Sequence, residues 1–324
     1  MENGFESRID LAGLSGGIEK IKTEIRKIII GQEEMIDLLL TAVLSNGHVL
    51  LEGVPGIAKT LTAKLLAKSM SADFSRIQFT PDLMPSDVVG TSVFNMKSSS
   101  FEFNRGPVFS NLVLIDEINR APAKTQSALF EVMEERQVTV DGTTYEMSAP
   151  FLVFATQNPI EHEGTYRLPE AQLDRFLFKI NIGYPSLEEE TEILAAQQEK
   201  TIPESISEVK PVVSAGEIIS FQKIVRCVLI ERNLIEYIAK IVNSTRGHKS
   251  FYLGGSPRAS LSIMAGSKAL AALRGRDFVT PEDIKEITVP AMRHRVILTP
   301  EKEMEGVKTD DMLKQAIEKI EVPR

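Results

Sequence analysis

The chain has 324 residues, enough for two domains of roughly 100–200 residues each. Apolar residues make up 43% and charged residues 25%, which excludes wholesale disorder. With 37 Lys and Arg against 45 Asp and Glu the net charge is −8, so the chain is not a generally basic nucleic-acid coat.

A single cysteine, Cys227, rules out an internal disulfide and a multi-cysteine zinc site, and fits a reducing, cytoplasmic setting. Met1 to Asp10 lacks the apolar run of a secretory signal, and no stretch of about 20 apolar residues suggests a membrane span.

Ile18, Ile21, Ile25, Ile28 and Ile29 recur at helical spacing and predict a helix over 16–30. Gly31 interrupts it, and a second amphipathic helix is expected over 33–44. Asn46-Gly47 turns the chain into a short buried strand, 48–52. Helices are then expected at 60–69 and 123–135, and strands at 76–80, 112–115, 151–155 and 178–182. Such alternation argues for parallel pairing in an α/β sandwich. Two segments break the rhythm. Residues 91–109 read as a hairpin inserted in a connection, and 137–147 alternate around Asp141-Gly142, a hairpin signal. After Tyr184-Pro185-Ser186 the pattern becomes mostly helical, so the domain boundary is expected near 186. Within that part, Thr280-Pro281-Glu282-Asp283 should open a helix, with a capping hydroxyl and acids in the first turn. Cys227 is expected in the core, and Arg274, Arg276, Arg293 and Arg295 on a solvated or interface face. The four histidines show no metal-ligand spacing.

Gly53-Val54-Pro55-Gly56-Ile57-Ala58-Lys59-Thr60 fits the phosphate-binding pattern G-x-x-x-x-G-K-[ST], with Ala58 replacing the last glycine. Backbone N–H groups of such a loop cradle phosphate oxygens. Lys59 would reach the outer phosphates, and Thr60 would offer a hydroxyl to Mg²⁺. Ala58 is tolerated if its backbone is helical; a positive φ would distort the loop. Leu112-Val113-Leu114-Ile115 leads into Asp116-Glu117. Ligands of open parallel sheets bind at that end, so Asp116 suits a metal and Glu117 suits the activation of water. The run 151–155 ends near Asn158, which could hydrogen-bond a terminal phosphate.

These pieces, in this order, resemble an AAA+ ATPase, and in detail the MoxR family. The segments that carry the likeness are 30–34, 51–60, 76–83, 155–159, 168–176 and 256–259. The resemblance implies a P-loop NTPase αβα sandwich over 1–186 and a smaller helical lid over 187–324. It implies ATP/ADP and Mg²⁺ as ligands, with nucleotide contacts from Gly31 and Gln32 at the adenine and from Gly53, Val54, Pro55, Gly56, Ile57, Ala58, Lys59, Thr60 and Leu61. By the same resemblance Thr60 and Asp116 hold the metal, Glu117 activates water, and Asn158 is the first sensor. Arg175 is the finger reaching a neighbouring subunit's nucleotide, with Arg167 as its alternative, and Arg258 is the lid sensor. Ala58 is common at its position in that family. A ring follows, a hexamer by resemblance, whose lid moves on hydrolysis and whose partners are proteins, commonly with von Willebrand factor A domains. Other readings are a nucleic-acid-remodelling or chelatase-type motor subunit, and a nucleotide-gated binding module with little hydrolysis. The acidic Asp141 turn argues against a nucleic-acid track.

Overall fold

A computed structural model describes residues 9–158, 166, 168–199 and 201–323. The chain begins with α1 (Ala12–Arg26) and α2 (Glu33–Leu44), then β1 (Val49–Glu52), α3 (Lys59–Ser69), β2 (Phe74–Gln78) and the short α4 (Pro85–Val89). A hairpin of β3 (Gly90–Asn95) and β4 (Ser100–Arg105) follows, then β5 (Leu112–Asp116) and α5 (Ala123–Glu135). A second hairpin, β6 (Gln137–Val140) and β7 (Thr143–Glu146), precedes β8 (Leu152–Gln157), α6 (Glu170–Leu173) and β9 (Phe178–Asn181).

The five long-range strands pair in parallel in the order β2-β5-β8-β1-β9. Alternation along each strand explains the layers. Leu51, Leu112, Leu114, Leu152 and Phe154 face one core with α1, α2 and α3. Leu50, Val113, Ile115, Val153 and Ala155 face a second core that takes Leu129, Phe130 and Met133 of α5. Helices on both faces of a parallel sheet make the αβα sandwich. The chain leaves β1 toward the far edge at β2 and returns strand by strand, so the crevice at the carboxyl ends of β1 and β8 is a topological switch point.

The remaining chain is helical: α7 (Leu187–Glu199), α8 (Ile202–Glu208), α9 (Ala215–Cys227), α10 (Arg232–Arg246), then β10 (Phe251–Leu253), α11 (Pro257–Leu273), α12 (Pro281–Met292), β11 (Ile297–Leu298), α13 (Pro300–Met304) and α14 (Thr309–Glu318). Buried residues of α9, α11 and α12 join the same apolar cluster as α2 and β9. A side chain at Gly266 of α11 would come within 2.7 Å of Phe178 and Ile287, so the helix lies hard against β9. The helical part therefore shares an apolar core with the sheet.

Several expectations need correction. The first helix runs over 12–26 rather than 16–30. The strand expected at 76–80 lies two residues earlier, where it registers Phe74 to Gln78 against Leu112 to Asp116. The start of α12 is as expected, with Thr280 at the N-cap, Pro281 in the first turn and Asp283 completing a capping box by accepting the Thr280 N–H at 2.9 Å. Cys227 is exposed, because the buried stripe of α9 is Ile218, Phe221, Gln222 and Val225. The four arginines do not form a solvated face. Arg274 and Arg276 surround the fully buried Asp283, Arg293 pairs with Asp310 at 2.9 Å, and Arg295 is buried on Asp174 at 2.6 Å. A buried carboxylate needs such partners.

Candidate nucleotide site

The loop from Gly53 to Ala58 joins β1 to the first turn of α3. A side chain at Gly53 would meet Ile57 at 2.4 Å and the Ile182 carbonyl at 2.8 Å, so only glycine fits there. Gly56 has φ +88° and Ala58 φ +62°, ψ +17°. Ala58 thus takes the left-handed conformation and not the helical one under which an alanine is unstrained. The loop keeps its strand–loop–helix course despite this. Left-handed residues beside right-handed ones turn successive N–H groups inward, which is the geometry of an anion nest.

Lys59 Nζ donates to the Gly53 carbonyl at 2.5 Å, across the mouth of the loop. Thr60 Oγ1 lies 3.3 Å from Asp116 Oδ1, so loop and acidic strand end meet. Asp116 is buried and also accepts from the Thr156 hydroxyl at 3.2 Å and from Arg76 Nε at 2.6 Å. The same Thr156 hydroxyl accepts the Glu117 N–H at 3.0 Å. Glu117 sits at φ +57°; its carboxylate accepts from Gln78 Nε2 at 2.7 Å and pairs with Arg120 at 3.1 Å. Lys59, Thr60, Arg76, Gln78, Asp116, Glu117 and Thr156 line one cleft of about 570 Å³, with Pro55, Gly56, Ala58, Leu61, Lys64, Asn158, and Ile202 and Ile206 of α8.

The donor set suits a small hard cation. Thr60 and Asp116 offer oxygen, and the guanidinium of Arg76 already occupies the place where Asp116 attracts positive charge. Among the described residues no group of three or more His, Cys, Asp or Glu could hold a metal by itself. Mg²⁺ is commonly held by one or two protein oxygens together with substrate phosphates, oxygens that Thr60 and Asp116 would supply.

Other expected site residues lie elsewhere. Gly53, Val54 and Ile57 are in the loop but do not line the cleft, and Gly31 and Gln32 do not line it either. Gly31 (φ +68°) abuts the Glu189 side chain, and Gln32 Nε2 donates to the Gly183 carbonyl at 3.3 Å. Arg175 and Arg258 are also outside the cleft, and both pair with Glu134. Arg167 lies outside the described residues. The residues around the acids that sequence reasoning missed are Arg76, Gln78, Arg120 and Thr156. Arg76 and Gln78 carried a signal, two polar residues alternating with Ile77 in a strand.

A phosphate-type loop facing an acid-ended strand on a five-stranded parallel sheet, with a C-terminal helical unit packed on it, defines an AAA-type P-loop protein. The family profile "ATPase family associated with various cellular activities (AAA)" matches residues 48–178, and "AAA lid domain" matches 243–316. The protein YeaC of Bacillus subtilis is 48% identical over 94% of each chain. Chaperone MoxR1 of Mycobacterium tuberculosis is 44% identical over 95% of this chain and 82% of its own. The crystal structure of a candidate ATPase from Cytophaga hutchinsonii superposes with TM-score 0.90 at 42% identity over 97% of both chains. The chain belongs to the MoxR family of AAA+ ATPases. No helix among the described residues is long and apolar enough to cross a membrane.

Proposed function

We propose that the protein hydrolyses ATP to ADP and phosphate with Mg²⁺ and uses the cycle to remodel, mature or activate partner proteins. One observation carries the reading: Thr60 and Asp116 meet at 3.3 Å in the cleft that also holds Lys59 and Glu117. In this reading the loop N–H groups and Lys59 bind the phosphates. Thr60 and Asp116 hold Mg²⁺, which supplies charge neutralisation at the phosphates. Glu117 accepts the proton of the attacking water, and Asn158 orients water or the terminal phosphate. Gly31 and Gln32 lie against the base.

Arg175, the expected finger, and Arg258, expected as the lid sensor, both serve a neighbouring copy in this reading, since neither lines the cleft of its own chain. An arginine finger is worth about 10³–10⁵ in rate, so a lone subunit would be nearly inactive. That argues for a closed head-to-tail ring, read as a hexamer by family resemblance. We divide the chain into a nucleotide-binding core, 1–186, and a lid, 187–324. Kinship with a protein named a chaperone supports a protein client, and von Willebrand factor A domain proteins are the class to test first. The single cysteine suits work in the cytoplasm.

Glu117→Gln tests the assignment. It should bind ATP with wild-type affinity and release no phosphate above background, and its trapped form should retain client proteins. Phosphate release at the wild-type rate would remove Glu117 from the role of base.

A further inference from the structure

The two arginines assigned to the neighbouring site come from different parts of the chain, yet they converge on one carboxylate. Arg258, in the first turn of α11, binds Glu134 with both guanidinium nitrogens, at 2.7 and 3.1 Å. Arg175 Nε lies 3.3 Å from Oε2 of the same carboxylate, the oxygen that Arg258 Nη1 also reaches. One helix supplies both holds on Arg175. Phe130 of α5 places its ring 5.9 Å beneath the guanidinium, and Glu134 is one turn further on, on the same face. The backbone around Arg175 is also fixed. Arg295 donates to Asp174 and to the Phe176 carbonyl, both at 2.6 Å, and the Ser256 hydroxyl donates to Asp174 at 3.1 Å.

We propose that Glu134 is a positioning residue that holds Arg175 and Arg258 side by side, so that they meet the triphosphate in the neighbouring subunit as one preformed unit. The inference rests on the finger reading above. Glu134, Arg175 and Arg258 are each about a third or more exposed, where ion pairs contribute little to folding, so the arrangement is better explained by geometry than by stability. Two long, flexible cations would otherwise have to be ordered in each turnover. A misplacement of about 1 Å at a reacting group can lower the rate about 10²-fold.

The test compares Glu134→Gln with Arg175→Ala in assembled protein. Glu134→Gln should lower kcat about 10²-fold, with KM for ATP, binding of a fluorescent ATP analogue and the melting temperature unchanged; a merely structural role would move the last two. Mixing Glu134→Gln with Glu117→Gln should restore turnover, because the second variant brings intact arginines and the first an intact cleft. Mixing Glu134→Gln with Arg175→Ala should restore none. Wild-type turnover of Glu134→Gln beside an inactive Arg175→Ala overturns the proposal alone, as does rescue by Arg175→Ala subunits. Wild-type turnover of Arg175→Ala removes the finger reading and the proposal with it.

Discussion

Ala58 offers a test of the loop backbone itself. At φ +62° an alanine pays the left-handed penalty, about 1–2 kcal/mol, which a glycine escapes. Against this, Ala58→Gly adds freedom to the unfolded chain, about 0.4–1 kcal/mol. It also removes a half-buried methyl that packs on the core, for which about 0.4 kcal/mol is half the full value of a buried methylene. The balance is about 0.5 kcal/mol in favour of glycine. Ala58→Val moves the other way, since a β-branched residue at positive φ is strained further. The expected order of stability is Gly, Ala, Val. Were the position right-handed, the order would be Ala, Val, Gly, with glycine about 1 kcal/mol below alanine. The two cases differ by about 1.5 kcal/mol for the glycine variant, roughly tenfold in the unfolding equilibrium. Urea titration of the three proteins resolves that difference. If the loop holds phosphates as proposed, a glycine keeps the left-handed backbone, and affinity for a non-hydrolysable ATP analogue should stay within about twofold. A glycine variant less stable than the parent would refute the reasoning, and so would one that gains stability but loses binding.

Two more predictions follow from side chains in fixed contacts. His48 is enclosed, with Nδ1 accepting the Val153 N–H at 2.9 Å and Nε2 3.1 Å from the Met133 carbonyl; burial, aided by the charge of Arg136, pushes its pKa down to about 3. His294 is lowered well below its usual range by burial and by Arg295. Both groups take protons in the unfolded chain below about pH 6.5 but not in the fold, so stability present at neutral pH is lost as pH falls toward 3. Between pH 7 and 5 the loss is roughly 2 kcal/mol for His48, and His294 adds to it in the same direction. Urea midpoints at the two pH values measure it, and a level or rising stability would contradict it. At the site, Arg76→Ala should free Asp116 for Mg²⁺. One charge-assisted bond, discounted to about 1 kcal/mol because Arg76 is half exposed, lowers the half-saturating Mg²⁺ concentration for nucleotide binding about fivefold. An unchanged or higher Mg²⁺ requirement, read by a fluorescent nucleotide, would show that Arg76 does not compete there.

What the sequence made legible was local. The helices at 33–44 and 123–135 have the expected bounds because apolar spacing alone sets them, and both hairpins form where the alternation and turn residues said they would. The loop and the acid pair are adjacent in chain to strands whose burial is continuous, so their meeting at the switch point followed from the sheet order. The sign of φ at Ala58 was not legible, because it is imposed by the chain on either side and by no property of alanine. Glu134 was not legible either. It lies among Glu131, Glu134 and Glu135 on the outward side of α5, and only the tertiary fold brings two distant arginines to one of the three.

The same limitation explains Arg295, and correcting it changes the mechanical picture. Its partner Asp174 is 121 positions earlier in the chain, beside Arg175. Buried on that carboxylate and on the carbonyls of Phe176 and Leu177, Arg295 ties α12's end to the turn that presents Arg175. Ser256 and Arg258 tie the start of α11 to the same region. A buried arginine cannot leave its acceptors cheaply, because both the charge and the carbonyls would be left unpaired. The start of α11, the end of α12 and the turn bearing Arg175 are therefore held as one unit. If Arg175 serves a neighbouring copy as proposed, a shift of α11 and α12 in one subunit would displace that cation as well, and the helical part would act as a route between sites.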